Sequence, residues 1–315
     1  MDRRSVLKNM GLASCATLLN PSIPDSQTEK PSVKVKTKFS YCFNSSTVRG
    51  QKIDLDEEIK LVAAAGYDGL ELWIPVLNSY KESGRSLKDL SKKIKDYGLK
   101  VEDAIGFAQW IHPDDAKRNE ALEQAKREME MLSILDCQRI AAPPAGLTDK
   151  EVDSYDAVGE RFAKLLEIGI QQNVIPQLEL WGFSKTLYKT SQLLYVAAQC
   201  GMPETRLLTD VYHLYKGGSN FDSLKLIAAS AIEVFHMNDY LLAFDRKTIT
   251  DADRIYPGSG DAPLTSIIKD LAKDREKVVL SLELFNPEYY KMKPKLVIEK
   301  GLAQMKNAVA KAMDT

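Results

Sequence analysis

From residue 38 onward, hydrophobic positions fall into two kinds of run that alternate along the chain. Short apolar runs of strand length recur at 39–43, 68–74 (DGLELWI), 100–105, 138–141, 174–180 (VIPQLEL), 206–210, 232–237 and 277–284 (KVVLSLEL). Most are followed by a segment whose apolar residues return every three or four positions, the period of one helix face. These spacings predict helices over 54–65, 86–97, 115–135, 149–172, 186–200, 221–229, 264–273 and 295–313. Asp54 is a helix-opening acid, and Gly66 and Gly98 are helix-closing glycines. Pro143-Pro144 ends the fourth strand, because proline donates no ladder hydrogen bond.

Eight β/α units with no break in composition predict a parallel sheet covered by helices. Eight of them suit a closed (β/α)₈ TIM barrel, a single α/β domain over residues 38–315. An open, doubly wound sheet is the alternative, but no GxGxxG turn follows the first strand.

A closed barrel delivers its chemistry at the C-terminal ends of the strands. Those ends carry Glu71, Glu179, Asp210, His236 and Glu283, and the third strand leads to Trp110 and His112. The stretch 206–240 is the densest, holding Asp210, His213, His236, Asn238 and Asp239, and so two of the chain's 3 histidines. Glu179, Asp210, His236 and Glu283 stand on four consecutive strands and would converge at the rim. Three carboxylates and one imidazole make a hard site for one divalent metal ion, Mn²⁺, Mg²⁺ or Co²⁺ before Zn²⁺. Without a cation, carboxylates so placed would repel one another strongly. Trp73, Trp110 and Trp181 follow strand ends and offer flat surfaces to a sugar ring. His112, before Pro113, reads as surface or pocket wall, and Lys185 as solvated.

Composition narrows the partners. A net charge of −1 gives no basic excess for nucleic acid. The expected partner is a small-molecule carbohydrate substrate; assembly as a homo-oligomer is left open. Residues 1–37 read as an export signal and flexible tether: Asp2-Arg3-Arg4-Ser5-Val6-Leu7-Lys8 matches the twin-arginine pattern, and a short apolar stretch follows. That stretch is too short to be a transmembrane helix, which needs about 20 apolar residues. Cys15, after Leu12-Ala13-Ser14, is a candidate lipid-anchor site, so the expected location is exported, periplasmic or as a membrane-anchored lipoprotein. Cys42, Cys137 and Cys200 are too widely spaced for a disulfide framework or a CxxC zinc site.

Taken together, GYDGLELW, QLELWG, TDVYH, FHMND and LELF resemble the xylose isomerase-like barrels, also known as sugar phosphate isomerases/epimerases. The resemblance runs from about Phe39 to the C-terminus and is specific for the superfamily, not for one reaction. It implies that Glu179, Asp210, His236 and Glu283 bind the metal and that Glu179 and Glu283 exchange the substrate proton. It further implies that His213 and an arginine after the seventh strand contact substrate oxygens, Arg254 being the best match and Arg246 its rival. Glu71, Trp73, Trp110, His112 and Trp181 complete the expected substrate site. The expected activity is a metal-dependent isomerase or epimerase of a keto-sugar, working by proton abstraction next to a carbonyl through an enediolate. A lyase or dehydratase acting on a 3-keto-glycoside or similar substrate is the alternative, and a non-catalytic exported sugar-binding protein a remote one. The superfamily's DNA-cleaving branch needs several histidines for three zinc ions, and 3 histidines in all do not supply them.

Overall fold

The computed structural model describes residues 37–314, so the expected export signal, its tether before Thr37 and Cys15 lie outside the described residues. Eight strands form: β1 (Lys38–Asn44), β2 (Gly69–Trp73), β3 (Lys100–Ile105), β4 (Arg139–Ala142), β5 (Ile175–Glu179), β6 (Arg206–Asp210), β7 (Val234–Met237) and β8 (Lys277–Leu282). Each pairs in parallel with the next, and β8 pairs with β1 from Lys38↔Lys277 to Phe43↔Leu282, which closes the barrel.

Among the described residues ten α-helices accompany them: α1 (Leu55–Ala65), α2 (Ile74–Glu82), α3 (Leu87–Asp96), α4 (Asp115–Ile134), α5 (Tyr155–Gln172), α6 (Thr190–Cys200), α7 (Val211–Gly217), α8 (Leu264–Ala272), α9 (Pro287–Tyr290) and α10 (Pro294–Met313). The expected start signals operate: Asp54 caps α1 through the amide of Asp56, and Gly66 ends it at φ 90°.

The structure departs from the expected elements at several points. The helix expected over 221–229 is a pair of 3₁₀ segments, Phe221–Leu226 and Ala229–Ala231, and the α-helix of that unit is α7, which leaves β6 directly. Helix α5 starts only after the Ser154 cap, and α6 starts after Leu187, whose φ of 56° breaks any earlier helical run. Helices α2 and α9, each with a proline in its first turn, were not expected.

Alternation along the strands sorts the residues. Outward side chains such as Leu70, Leu72, Phe235 and Leu280 join the helix faces, Ile59, Val62, Leu90 and Ile298 among them, in one apolar shell. Each such side chain, fully buried, contributes about 1.5–3 kcal/mol. Inward, Cys42, Ile105, Ala141, Leu208, Val234 and Val279 form an apolar plug inside the barrel. At the N-terminal end, Glu102, Arg139, Glu233, Arg206 and Lys277 close the bottom as a chain of ion pairs. Two residues beyond the plug, toward the C-terminal rim, the inward positions turn polar: Asn44 after Cys42, Asp210 after Leu208, His236 after Val234 and Ser281 after Val279. The register sets Asn44 beside Glu71, Glu71 beside Asp103, and Asp210 beside His236. That change from apolar to polar marks the floor of the site.

Candidate active site and metal centre

Asp210, the last residue of β6, caps α7 by accepting from the His213 amide at 2.8 Å, which leaves Oδ2 directed inward. Asn238 donates to that Oδ2 at 2.8 Å, while its own Oδ1 holds the Tyr212 amide at 2.9 Å. Next to it, His236 directs Nε2 at Glu71 Oε1, 2.8 Å away, and Nδ1 at Glu283 Oε2, 3.3 Å away, and Asp210 Oδ2, 3.8 Å away. Asp210, His236 and Glu283 each offer a ligand atom within 4.8 Å of the others. Glu179 does not belong to that close group, but it ends β5 and opens on the same cavity, as does Glu283.

Charge in this layer is finely divided. Burial pushes the Glu179 carboxyl up to about 8, with Glu283 adding to the effect and His236 opposing it. Burial would raise Glu283 as well, but His236 and Arg254 outweigh it and hold that carboxyl well below its ordinary range. Burial would lower His236, yet Glu71 and Glu283 outweigh it and raise the imidazole well above its usual value. Burial, reinforced by Arg254, holds His213 far down, so its ring is neutral.

Arg254 Nη1 sits between Asp210 Oδ2, at 2.8 Å, and Glu283 Oε2, at 2.7 Å. Its Nη2 reaches Asp251 at 2.6 Å and His213 Nε2 at 3.1 Å. A guanidinium only donates, so His213 Nε2 accepts there. Arg254 is 1% exposed and lines the cavity, whereas Arg246 lies against Gly218 and does not line it. Gly182 positions His213, because a Cβ there would strike the His213 carbonyl and the backbone of Gly217.

The donor set fits a divalent cation on two observations. His236 Nδ1 and Glu179 Oε2 are buried with no hydrogen-bond partner among the described residues, and both belong to the expected ligand set. Arg254 and His236 meanwhile supply positive charge where Asp210 and Glu283 converge, which is the need a metal would meet. A second close group, Glu71, Asp103 and His236, suits a cation less well. Both Glu71 oxygens accept hydrogen bonds, from His236, Asn44 and Ser281. Burial and Glu71 push Asp103 well up, and Gln177 donates to it at 2.5 Å.

Over the rim lies a cavity of about 360 Å³, within the range of small-molecule sites. Trp73, Phe107, Trp181, Phe183 and Phe285 wall it, and His213, Asp251 and Arg254 supply polar groups.

The sequence pattern of the xylose isomerase-like TIM barrel matches residues 59–308. The chain belongs to that family. A curated relative from Bacillus velezensis, an inosose isomerase, is 27% identical over 256 residues, covering 80% of this chain and 90% of its own length. A 3-dehydroshikimate dehydratase of Pseudomonas putida is 23% identical over 240 residues, covering 74% of this chain and 36% of its own length. A solved structure of the IolI protein with a bound zinc atom superposes with a TM-score of 0.80 at 25% identity, covering 87% of this chain and 99% of that one. Proteins similar to this chain thus include an isomerase, a dehydratase and a zinc-bound protein.

Against the expected substrate site, this family member places Trp73, Trp181, His213 and Arg254 on the cavity. Three other residues lie elsewhere. Glu71 is 0% exposed and faces His236, not the cavity, because β2 directs it into the barrel. Trp110 is core: it packs edge-on against Phe162 and donates to the Pro143 carbonyl at 2.8 Å. His112 accepts from the Asp114 amide at the entry to α4 and does not line the cavity. Asn44 was missed, although the inward alternation Ser40, Cys42, Asn44 pointed to it. Asp103 and Gln177 gave only the weak signal of polar residues in the middle of buried strands.

Proposed function

We propose that the protein is a divalent-metal-dependent isomerase or epimerase of a keto-sugar or related carbohydrate, acting by proton transfer at the carbon next to a carbonyl. One observation carries this reading. Glu179 and Glu283 come from strands three positions apart, and both open on one aromatic-walled cavity beside Asp210 and His236. A divalent ion held by Glu179, Asp210, His236 and Glu283 would supply Lewis-acid stabilisation of charge building on the carbonyl oxygen, with Mn²⁺, Mg²⁺, Co²⁺ and Zn²⁺ all compatible with the donors.

The chain's own groups do the rest. One of the two glutamates takes the α-proton as a general base, and the substrate becomes an enediolate. The other glutamate returns a proton to the opposite face, giving an epimer; return to the neighbouring carbon gives an isomer. Arg254, fixed by three carboxylates, helps hold Glu283 ionised, opposes the rise that burial gives Asp210 and, with the neutral His213, lies where substrate oxygens would reach. Trp73 and Trp181 give the sugar ring flat apolar faces and keep water off the reacting carbon.

The dehydratase relative favours a second reading, in which the same proton abstraction expels a β-hydroxyl. Product identity separates the two. The metal-loaded protein is incubated with keto-sugars, inososes and 3-dehydroshikimate in D₂O and followed by NMR. Solvent deuterium at the α-carbon, with an epimer or isomer formed, is the expected result. Loss of water, giving an unsaturated ketone from a keto-sugar or inosose and an aromatic diphenol from 3-dehydroshikimate, would replace the isomerase by the lyase, and no exchange with any substrate would overturn both. Glu283→Gln should slow exchange by about a hundredfold or more; an undiminished rate would remove Glu283 from the proton transfer.

A further inference from the structure

Among the described residues, the cavity carries one cation with no carboxylate partner. Arg49, in the 3₁₀ segment Ser45–Gln51 after β1, is exposed and lines the cavity beside Trp73 and Phe285. Its guanidinium lies over both rings, 5.4 Å from the centroid of Trp73 and 5.0 Å from that of Phe285. A third ring backs this segment: the Tyr290 hydroxyl donates to the Ser46 carbonyl at 3.0 Å. Gly50 permits this approach, because a Cβ there would fall within the Tyr290 ring. Arg49 thus rests against two aromatic rings, on a segment that Tyr290 fastens.

Its charge is available. Among the described residues no carboxylate forms an ion pair with Arg49, whereas Arg254 in the same cavity has Asp210, Asp251 and Glu283. An arginine whose plane is covered by aromatic rings presents its N–H edge, and that edge matches a carboxylate through two parallel hydrogen bonds. A phosphate would call for further cations or a cradle of backbone amides, and none of the cavity-lining segments is Gly-rich.

We propose that Arg49 binds a carboxylate of the substrate, so that the site takes a polyhydroxylated keto acid with its carboxylate beside Arg49 and its ketone beside Glu179 and Glu283. This rests on the reading of the cavity as a site for carbonyl carbohydrates, and it names their class. Arg49 is then a specificity-determining residue, and Tyr290 positions it.

The test uses the metal-loaded full chain, isothermal titration calorimetry, and 3-dehydroshikimate with its methyl ester as probes. The wild type should bind the acid about 20- to 100-fold more tightly than the ester. Arg49→Met, which keeps the stem over the rings, should abolish that difference by weakening the acid alone. Arg49→Lys should restore only part of it, since an ammonium lacks the two-pronged geometry. Tyr290→Phe should weaken the acid while sparing the ester. Equal affinity for acid and ester in the wild type, binding of neither, or equal weakening of both in Arg49→Met would overturn the assignment. Proton exchange in the same samples separates the two proposals. Acid preference without exchange contradicts the isomerase and keeps Arg49, whereas exchange without acid preference keeps the isomerase and removes Arg49.

Discussion

Replacing Glu71 by glutamine tests how the barrel interior prepares His236. The carboxylate is 0% exposed and accepts from His236 Nε2 at 2.8 Å, Asn44 Nδ2 at 2.7 Å and Ser281 Oγ at 2.5 Å. Glutamine has the same shape but only one acceptor oxygen. If that oxygen keeps His236, the new NH₂ group meets the NH₂ of Asn44. Asn44 cannot turn over to relieve this, because its Oδ1 already accepts from Trp73 Nε1 at 2.8 Å and from the Ser46 amide at 2.9 Å. Ser281 can rotate to accept, so one buried donor is left unpaired, a loss of about 1–3 kcal/mol. His236 also loses the anion that fixes its Nε2–H and leaves Nδ1 free for a cation. Changes of this kind weaken metal binding by about 10- to 100-fold. Titration of Mn²⁺ or Zn²⁺ against a competing chelator, with thermal melting of the metal-free variant as a control for folding, measures both effects. Wild-type metal affinity in a folded Glu71→Gln protein would refute the argument that Glu71 orients His236.

Other outcomes follow from the same contacts. Arg254→Met leaves Asp210 and Glu283 facing each other with less positive charge, so the metal-free protein should lose about 3 kcal/mol. Added Mn²⁺ should raise the melting temperature of that variant more than that of the wild type; an equal rise would contradict the placing of the cation between those carboxylates. Glu58 is buried in α1, with Ser45 donating to it at 2.5 Å, and burial raises its carboxyl from 4.5 to about 7. Its folded-state pKa is raised, so the associated stability is complete below pH 4.5 and lost as pH rises through about 7. Glu58→Gln should therefore match the wild type at pH 4.5 and exceed it by about 3 kcal/mol at most above pH 7, as read by urea unfolding across pH. Trp110→Ala should cost about 3–5 kcal/mol and leave metal affinity unchanged, as core residues do; weakened metal binding in a folded variant would return Trp110 to the site.

The barrel was legible because both of its periods are written in single residues. Leu70, Glu71 and Leu72 alternate across β2, and the α1 positions Leu55, Ile59 and Val62 repeat along one helix face. Helix α7 escaped because seven residues hold less than two turns, too few to show a period, and its cap, Asp210, was read only as a possible ligand. Helix α2 was hidden by Pro75, which breaks a helix interior but suits a first turn.

For the site, position after a strand pointed to residues at the rim without saying which way each side chain turns. Trp73 and Trp181 turn into the cavity, whereas Trp110 turns into the shell against Phe162. Glu71 shares the strand-end pattern of Glu179, yet the bulge in the β2–β3 register and its neighbours on β7 and β8 set it beneath His236. Such pairings join residues 165 or 210 positions apart. They depend on barrel closure, which no local pattern encodes.

The central claim is that Glu179, Asp210, His236 and Glu283 hold one divalent cation at the floor of the cavity. Crystals grown with Mn²⁺ and measured at the manganese absorption edge locate the ion directly. The account predicts a single anomalous peak among those four side chains, on the Nδ1 side of His236. A peak between Glu71 and Asp103 on the Nε2 side, or no peak at the rim, would contradict it.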